Sequence, residues 1–313
     1  MRVLVTGAMG FIGSNVARLL EHRGIETVLL DNFYASNSKN ILDLEGKFIK
    51  ADIADLKIFK KLPKLDAVIH QAAITDTTLK DDQLMLRVNF EGFRNVLKYC
   101  LSKKIKLVYA SSAGVYGNGP MPAKENQRPA PLNMYGYSKY LCDCAVLEPI
   151  KKHRNPSVVG LRYFNVYGYP EAHKDKAASM IYQLYLQMID GRRPRIFKYG
   201  KQERDFIYIK DVARATVKAL ELKDSAILNV GTGKARSFND IIKILNKQLK
   251  TNLKPDYFDN PYKGLYQDFT LADTAALAKR LGFKASYSLE EGIKDYIKTI
   301  KENEENEKSR QNN

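Results

Sequence analysis

Short apolar strands alternate with helical segments over the first 161 residues, and this alternation restricts the fold more than any other feature. Six segments have the apolar, often β-branched character of buried strands, namely 2–5, 27–30, 48–51, 67–70, 107–110 and 157–161. Helical segments fall between them, most clearly over residues 84–102 and 135–152. Strands and helices that alternate at this spacing are typical of a parallel sheet with helices on both faces. We therefore predict an α/β fold.

The pattern loosens in the second half of the chain. Helical segments at 177–190, 211–222, 238–249 and 289–300 are separated by loops and by short strands such as 227–230. We predict a first domain over residues 1–164 and a smaller mixed α/β domain over 165–300, partly interleaved with the first. Residues 301–313 contain no apolar side chain, so we expect a frayed polar tail there.

The composition is that of a globular protein. The chain has 313 residues, of which 44% are hydrophobic and 27% charged. Three cysteines cannot build a disulfide framework in a chain of this length, which favours a reducing compartment. No signal peptide and no uncharged apolar stretch of about 18 residues is found, so we expect a soluble, cytoplasmic protein without a membrane partner.

The net charge of +16, from 51 basic and 35 acidic residues, is the unusual number. The basic residues are scattered beside apolar helical stripes, as in the segments 57–64, 98–106 and 151–154. A nucleic-acid groove instead concentrates basic and aromatic side chains in one stripe. We therefore interpret the charge as a lysine-rich surface and expect no nucleic-acid partner.

A glycine-rich turn joins the first predicted strand to the first predicted helix. Its glycines, Gly7, Gly10 and Gly13, allow a tight turn, a close approach to a pyrophosphate and close packing of helix on strand. The N–H groups at the start of the helix then face the phosphates. Asp31 ends the second strand, where a carboxylate accepts hydrogen bonds from an adenosine ribose. These features predict a dinucleotide cofactor; Asp31 favours NAD and Lys39 favours NADP, so both remain open.

A tyrosine and a lysine four residues apart are the main candidates for acid–base chemistry. Tyr135 and Lys139 lie at i and i+4, one above the other on a predicted helix. The ammonium group of Lys139 favours the phenolate form of Tyr135, which lets the phenol act as a general base. Ser112 follows the fifth strand at its carboxyl end, where open α/β sheets place ligands. Its hydroxyl is a candidate to hold the reacting oxygen.

With these motifs the chain resembles the extended short-chain dehydrogenases/reductases, in particular their nucleotide-sugar epimerase and dehydratase group. The segments that match this group are 108–112, 135–139, 162–168 and 204–208, and the similarity covers residues 1 to about 300. The resemblance implies a doubly wound parallel sheet (Rossmann) that binds NAD(P) over residues 1–164. It also implies that residues 165–300 form a nucleotide-sugar substrate domain.

A narrower set of segments, 70–78, 171–180 and 263–270, is similar to the ADP-L-glycero-D-manno-heptose 6-epimerase family. This resemblance implies tightly bound NADP or NAD, a nucleotide-sugar substrate and a homo-oligomer. Lys174 matches a second acid/base group that faces the substrate opposite the tyrosine. Three positions depart from the common form of the family: Lys176 replaces a serine, Gln183 replaces a histidine, and Met9 stands where a small residue is usual.

The residues that the motifs and the resemblance assign to the site fall into three sets. The catalytic set is Ser112, Tyr135, Lys139 and Lys174. The cofactor-binding set is Gly7, Gly10, Phe11, Ile12, Gly13, Asp31, Asn32, Lys39, Asp52, Ile53, Gln71, Ala72, Ala73, Thr75, Asn89, Tyr135, Lys139 and Val166. The substrate-binding set is Ser112, Asn165, Lys176, Gln183, Phe197, Arg204 and Tyr266. No cluster has metal-ligand spacing, so no metal site is expected.

The reaction implied by the resemblance is a redox-neutral epimerisation through a transient ketone. It would convert ADP-D-glycero-D-manno-heptose to the L-glycero epimer for lipopolysaccharide core biosynthesis. At a side-chain carbon such as C6 of a heptose, rotation about one bond moves the ketone oxygen across the pocket. Two acid/base groups are then useful, which makes Lys174 the discriminating residue.

Three other functions are weighed against this one. A UDP-hexose 4-epimerase, which turns the whole sugar over and reuses one tyrosine, is the alternative. A dehydratase is disfavoured because the Thr- or Ser-Asp-Glu run near the catalytic serine is missing. A non-catalytic, cofactor-sensing protein on the same fold is disfavoured because Ser112, Tyr135 and Lys139 are all present.

Overall fold

The computed structural model describes residues 1–152, 157–259 and 267–311. Its strands are β1 (Arg2–Thr6), β2 (Glu26–Asp31), β3 (Lys47–Lys50), β4 (Ala67–His70), β5 (Lys106–Ser112), β6 (Val158–Tyr163), β7 (Asn165–Tyr167), β8 (Arg195–Phe197), β9 (Glu203–Tyr208), β10 (Ala226–Val230), β11 (Ala235–Ser237) and β12 (Asp256–Phe258). Its helices are α1 (Phe11–His22), α2 (Asp82–Leu86), α3 (Gly92–Lys103), α4 (Met134–Lys152), α5 (Met180–Ile189), α6 (Ile209–Lys218), α7 (Phe238–Leu249), α8 (Ala275–Leu281) and α9 (Leu289–Gln311).

A seven-stranded parallel sheet forms the centre of the fold, in the order β10-β6-β5-β4-β1-β2-β3. Its central strands are mostly apolar and are buried over most of their length, because helices cover both faces of the sheet. The prediction of a doubly wound parallel sheet is confirmed. The strand order reverses on either side of β1, and the glycine turn follows β1 directly. That point of reversal is where ligands bind in sheets of this type.

The helix expected over residues 84–102 is divided into three segments. The chain is helical from the start of α2 to the end of α3, and a π-helical turn over Arg87–Glu91 joins the two. Such turns insert one extra residue and are frequent at functional sites. Because of this insertion, the Asn89 side chain points in a different direction from the one it would have in a regular α-helix.

The second half of the chain adds two small sheets and the remaining helices. β11, β9 and β7 form a mixed three-stranded sheet, and β12 pairs with β8 in parallel. This confirms the smaller mixed α/β part. β10 pairs with β6 and thus completes the central sheet, although it lies within the range predicted for the second domain. One apolar core extends from β1 and α1 to α5, α7 and α9.

The expectation of a frayed tail after residue 300 is wrong for the described residues, because α9 continues to Gln311. Two contacts hold this extension: Lys39 Nζ lies 2.9 Å from Glu307 Oε1, and Asn303 Nδ2 donates to the Thr299 carbonyl over 2.8 Å. A polar sequence can remain helical through such local bonds and a contact on one side. The absence of apolar residues therefore did not indicate disorder. Among the described helices, none is long and apolar enough to cross a membrane.

Candidate active site

The glycine turn after β1 is packed so closely that side chains do not fit there. Gly7 has a φ of +65°, and a Cβ on it would lie 2.6 Å from the Ala72 nitrogen. A Cβ on Gly13 would lie 2.0 Å from the Gly7 carbonyl oxygen. The turn therefore needs glycine both for its backbone conformation and for the packing of α1 against it. Met9, the departure noted in the sequence, is buried and causes no break in the turn.

Asp31 at the end of β2 is held in a fixed orientation. One carboxylate oxygen accepts from the Met9 N–H at 3.0 Å, and the other accepts from the Phe33 N–H at 2.9 Å and the Ser36 hydroxyl at 2.8 Å. The side chain is almost fully buried. A carboxylate fixed beside the glycine turn fits the ribose hydroxyls of a dinucleotide, and its charge disfavours a phosphate at the same place.

A cleft at the carboxyl edge of β1, β2, β3 and β4 contains these groups. Nine residues predicted to bind the cofactor line it, namely Gly7, Gly10, Asp31, Asn32, Asp52, Ile53, Gln71, Ala72 and Ala73. The sequence interpretation missed several others: Tyr34, Ala35, Ser36, Ala51, Ile74 and Val88. Ala51 directly follows β3, and Tyr34, Ala35, Ser36 and Ile74 lie three to five residues after the end of β2 or β4, so nearness to a strand end was the signal that could have found them. The shape and the donor groups of this cleft fit a dinucleotide.

The other predicted cofactor residues lie around this cleft. Phe11, Ile12 and Gly13 form the first turn of α1. Asn89 does not present its amide to the cleft: Oδ1 accepts from the Ile74 N–H at 2.8 Å, and Nδ2 donates to the Ile74 carbonyl and to Ser138 Oγ. Asn89 therefore supports the loop after β4.

Three further cofactor assignments remain predictions. Lys39 forms the ion pair with Glu307 that is described above, although both side chains are exposed. Thr75 is exposed within the loop between β4 and α2, and Val166 lies half-buried in β7. No contact of these three side chains tests a role in cofactor binding.

Helix α4 brings the tyrosine–lysine pair beside the dinucleotide cleft. Lys139 is 3% exposed; its Nζ donates to the Ala110 carbonyl at 2.9 Å and lies 5.9 Å from the centre of the Tyr135 ring. The helix starts against the loop that follows Ser112, because a Cβ on Gly136 would lie only 2.6 Å from the Gly114 carbonyl oxygen. This close packing sets the distance between α4 and β5.

Ser112 and Tyr135 border the same space. Ser112 Oγ accepts from the Gly114 N–H at 3.0 Å, so its hydroxyl proton remains available to a ligand. A Cβ on Gly114 would lie 3.3 Å from this oxygen and 3.9 Å from a Tyr135 ring carbon. The arrangement can hold an oxygen atom of a ligand between a hydroxyl donor and a phenol beside the cofactor cleft.

A buried polar network lies beneath the pair. The Asp143 carboxylate, one turn after Lys139, accepts from Tyr109 Oη and from Arg162 Nε, each at 2.8 Å. Arg162 also donates to Tyr116 Oη at 2.8 Å, and Tyr116 Oη donates to Asn229 Oδ1 at 2.5 Å. The network joins α4 to β5, β6 and β10. It therefore fixes the depth at which α4 carries the tyrosine and the lysine.

Lys174 lies in a short helical segment, Ala172–Ala177, that follows β7. Its Nζ is 5.4 Å from the centre of the Phe11 ring. Burial lowers the pKa of Lys174, and the nearby Glu171 carboxylate opposes this shift. An ammonium with a lowered pKa gives up its proton more readily than that of a free lysine. Its role as a second acid/base group remains a prediction.

The predicted substrate residues have mixed positions. Lys176 is exposed, and Gln183 Nε2 donates to the Lys176 carbonyl at 3.1 Å and the Ala178 carbonyl at 2.8 Å, so Gln183 braces the segment around Lys174. The Arg204 guanidinium donates to the carbonyls of Glu203 and Gln267. The remaining three are Phe197, whose ring packs 4.9 Å from that of Phe258, half-buried Asn165, and Tyr266, which lies outside the described residues.

His70 is the last residue of β4, and its burial makes the stability of the fold depend on pH. Its Nδ1 lies 2.7 Å from Thr6 Oγ1, and the ring is 2% exposed. Burial lowers the pKa of His70 to about 3, and the charge of Lys139 acts in the same direction. The unfolded chain binds a proton at this residue below about pH 6.5, whereas the folded chain does not. Stability is therefore lost as the pH falls from about 6.5 towards 3.

We expect the free energy of unfolding to fall by about 2 kcal/mol from pH 7 to pH 5 because of His70 alone. Urea unfolding of the wild type and of His70→Asn at both pH values measures this, and the loss should be smaller in the variant by that amount. His22→Gln, a change at an exposed histidine of α1, is the control and should keep the wild-type pH dependence. An equal loss in wild type and His70→Asn would contradict the prediction.

Within the described ranges, no group of three or more His, Cys, Asp or Glu side chains has the arrangement of a metal site. The cysteines among the described residues are all free: Cys100 and Cys142 are buried, and Cys144 is half-buried.

The geometry agrees with the family to which sequence and structure comparisons assign the chain. Residues 3–231 match the model of the NAD dependent epimerase/dehydratase family. ADP-L-glycero-D-manno-heptose-6-epimerase of Brachyspira hyodysenteriae is 38% identical over 309 residues, which cover 95% of this chain and 97% of that protein.

Solved structures match over nearly the whole chain as well. ADP-L-glycero-D-manno-heptose-6-epimerase of Helicobacter pylori superimposes with a TM-score of 0.89 at 39% identity, covering 96% of both chains. A variant of UDP-glucuronic acid 4-epimerase from Bacillus cereus, in complex with UDP-4-deoxy-4-fluoro-glucuronic acid and NAD, has a TM-score of 0.86 at 32% identity and covers 96% of this chain and 100% of that one. The chain belongs to the NAD dependent epimerase/dehydratase family, as the glycine turn, Asp31 and the Tyr135–Lys139 pair indicated.

Proposed function

We propose that this protein is a nucleotide-sugar epimerase that interconverts ADP-D-glycero-D-manno-heptose and ADP-L-glycero-D-manno-heptose. The observation that carries the proposal is that both candidate acid/base groups lie near the elements that border the dinucleotide cleft. Tyr135 lies on α4 beside the cleft, and Lys174 lies against Phe11 at the start of α1. Relatives with 38% and 39% identity that carry this enzyme name support the sugar assignment.

The residues of the chain supply positioning and proton transfer. When bound, the cofactor supplies an acceptor and later a donor of hydride. Tyr135 takes the proton of the substrate hydroxyl, and the Lys139 ammonium lies beside its ring, held by the Ala110 carbonyl. The Ser112 hydroxyl donates to the same oxygen and stabilises its developing charge. The buried network around Asp143 holds α4 and prevents the pair from shifting.

A second acid/base group has a use because C6 of the heptose lies outside the sugar ring. Rotation about one bond turns the other face of the ketone towards the cofactor, and the ketone oxygen then points away from Tyr135. Lys174 would return the proton on that side. Its position 5.4 Å from the centre of the Phe11 ring supports this role, and desolvation lowers the pKa of its ammonium group.

Lys174→Ala tests the sugar assignment and the two-base mechanism together. We expect wild type to epimerise ADP-D-glycero-D-manno-heptose, followed by NMR, and Lys174→Ala to be about 10²-fold slower. Lys98→Ala, at an exposed position of α3, is the control and should match wild type. Turnover of UDP-hexoses alone would overturn the sugar assignment. Equal rates for Lys174→Ala and wild type would overturn the second acid/base role.

A UDP-hexose 4-epimerase is the second candidate, and the likeness to UDP-glucuronic acid 4-epimerase supports it. That reaction occurs at a ring carbon, and the sugar turns over as a whole so that one tyrosine serves both faces. Under this alternative, Lys174→Ala would turn over UDP-glucose as fast as wild type does. Separate incubations with ADP-heptose and UDP-glucose therefore decide between the candidates.

We also infer that the enzyme works in the cytoplasm and as a homo-oligomer. The free, mostly buried cysteines support a reducing compartment. Apolar side chains that α4 exposes, Tyr137 and Leu147 among them, support association with another subunit.

A further inference from the structure

The amide group of Asn165 in β7 is held at one end by Thr270. Thr270 Oγ1 lies 2.9 Å from Asn165 Oδ1, and the Asp205 N–H reaches the same hydroxyl oxygen over 3.3 Å. A backbone N–H can only donate, so the hydroxyl oxygen is its acceptor and the hydroxyl proton is directed to Asn165. The carbonyl end of the amide is therefore occupied by Thr270.

Thr270 itself cannot move easily. It is 2% exposed, and its N–H donates to the Glu203 carbonyl at 3.1 Å. The segment before it is tied to two other parts of the site: Gln267 Nε2 donates to the carbonyl of Gly117, after the Ser112 loop, and the Gln267 carbonyl accepts from Arg204. A threonine fixed on a segment of this kind gives its hydroxyl a constant direction.

The NH₂ group of the Asn165 amide points away from Thr270. Among the described residues, Asn165 Nδ2 has no hydrogen-bond partner, and the side chain is only half-buried. If the Asn165 amide were reversed, its NH₂ group would face the Thr270 hydroxyl. The hydroxyl proton would then lose Asn165 Oδ1 as its acceptor. The amide is thus oriented by the protein before a ligand arrives, which reduces the cost of ordering it on binding.

We propose that Thr270 is a positioning residue that makes Asn165 a donor-only contact for the substrate. The site would then take an oxygen acceptor of the nucleotide sugar at this point, a hydroxyl lone pair or a phosphate oxygen. The inference rests on the proposed function in one respect, that the ligand beside Asn165 is a nucleotide sugar. It adds a residue that neither the motifs nor the family resemblance assigned to the site.

Three threonine variants test the role of the hydroxyl. Thr270→Val removes it at nearly constant shape, and Thr270→Ser restores it. Thr27→Val is the matched control, because Thr27 is also buried and its hydroxyl donates to Glu21 Oε1 at 2.6 Å, on β2. We expect Thr270→Val to raise KM about tenfold for the nucleotide sugar that wild type turns over, ADP-heptose or UDP-glucose. The kcat should change by less than about threefold, as for a loss of uniform binding.

A double-mutant cycle separates this role from a general loss of structure. Asn165→Ala should weaken nucleotide-sugar binding, measured by calorimetry, and adding Thr270→Val should weaken it no further. Thr270→Ser should bind within about threefold of wild type, and Thr27→Val should lose stability but keep its KM. Additive losses in the cycle, or an equal KM for Thr270→Val and wild type, would overturn the inference.

The same experiment separates failure of the inference from failure of the proposed function. A wild type that turns over UDP-glucose but not ADP-heptose overturns the sugar assignment alone, because the threonine series is then measured with UDP-glucose. A wild type that binds neither nucleotide sugar in the calorimeter overturns both.

Discussion

Replacing Tyr135 with phenylalanine is expected to lower kcat about 10³-fold, while NAD binding stays within about threefold of wild type. The substitution removes the phenol oxygen, which we propose as the acceptor of the substrate proton, and leaves the ring in place near Gly114. General acid–base groups contribute about 10²–10⁴-fold. Steady-state epimerisation followed by NMR measures the rate, and calorimetric titration with NAD measures cofactor binding.

The neighbouring tyrosine on α4 is the matched control for this substitution. Tyr137 is 42% exposed, two residues along the helix, so Tyr137→Phe loses the same hydroxyl outside the site. Its kcat should equal that of wild type. Activity of Tyr135→Phe within tenfold of wild type would show that another group takes the proton.

Asp143→Ala is expected to lower the free energy of unfolding by about 3–5 kcal/mol, the cost of leaving one partner of a buried ion pair uncompensated. Arg162 and Asp143 are 5% and 3% exposed in their side chains, so solvent cannot readily replace the carboxylate. Tyr109 Oη loses its acceptor at the same time. Urea unfolding, monitored by circular dichroism, measures the change.

An exposed pair of the same chemistry provides the comparison. Arg195 and Asp256 lie 3.2 Å apart with side chains 61% and 46% exposed, so Asp256→Ala should change stability by less than about 1 kcal/mol. If Asp143→Ala does not fold, Asp143→Asn keeps the volume and some hydrogen bonds and should still be destabilised by more than 1 kcal/mol. Values below that for both Asp143 variants would show that the network does not support α4.

The strand predictions were accurate because buried parallel strands are apolar throughout and are bounded by turns. All six predicted strands of the first half lie within two residues of the observed ones at either end. Tail residues 301–311 were predicted wrongly because apolar periodicity does not detect a helix held by polar contacts. Its contact with Lys39 joins residues 268 positions apart, which no local pattern encodes.

In the candidate site too, residues of local motifs were predicted correctly, whereas roles that depend on tertiary contacts were not. Gly7, Gly10 and Asp31 belong to a local motif, and the structure places them in one cleft as their spacing indicated. Asn89 has a supporting role that its residue type did not indicate, since a π-helical turn and three partners determine where its amide points.

The parallel sheet, the dinucleotide turn and the candidate acid/base pair could be predicted from the amino-acid sequence, because each depends on periodicity or on residues a few positions apart. The polar groups that are already hydrogen-bonded within the protein could be identified only from the folded chain. Arg204 donates to backbone carbonyls, and the Asn165 amide is oriented by Thr270, which lies 105 residues away in the chain. These features depend on hydrogen bonds between distant segments, and such bonds form only when folding brings their donors and acceptors together in a buried environment.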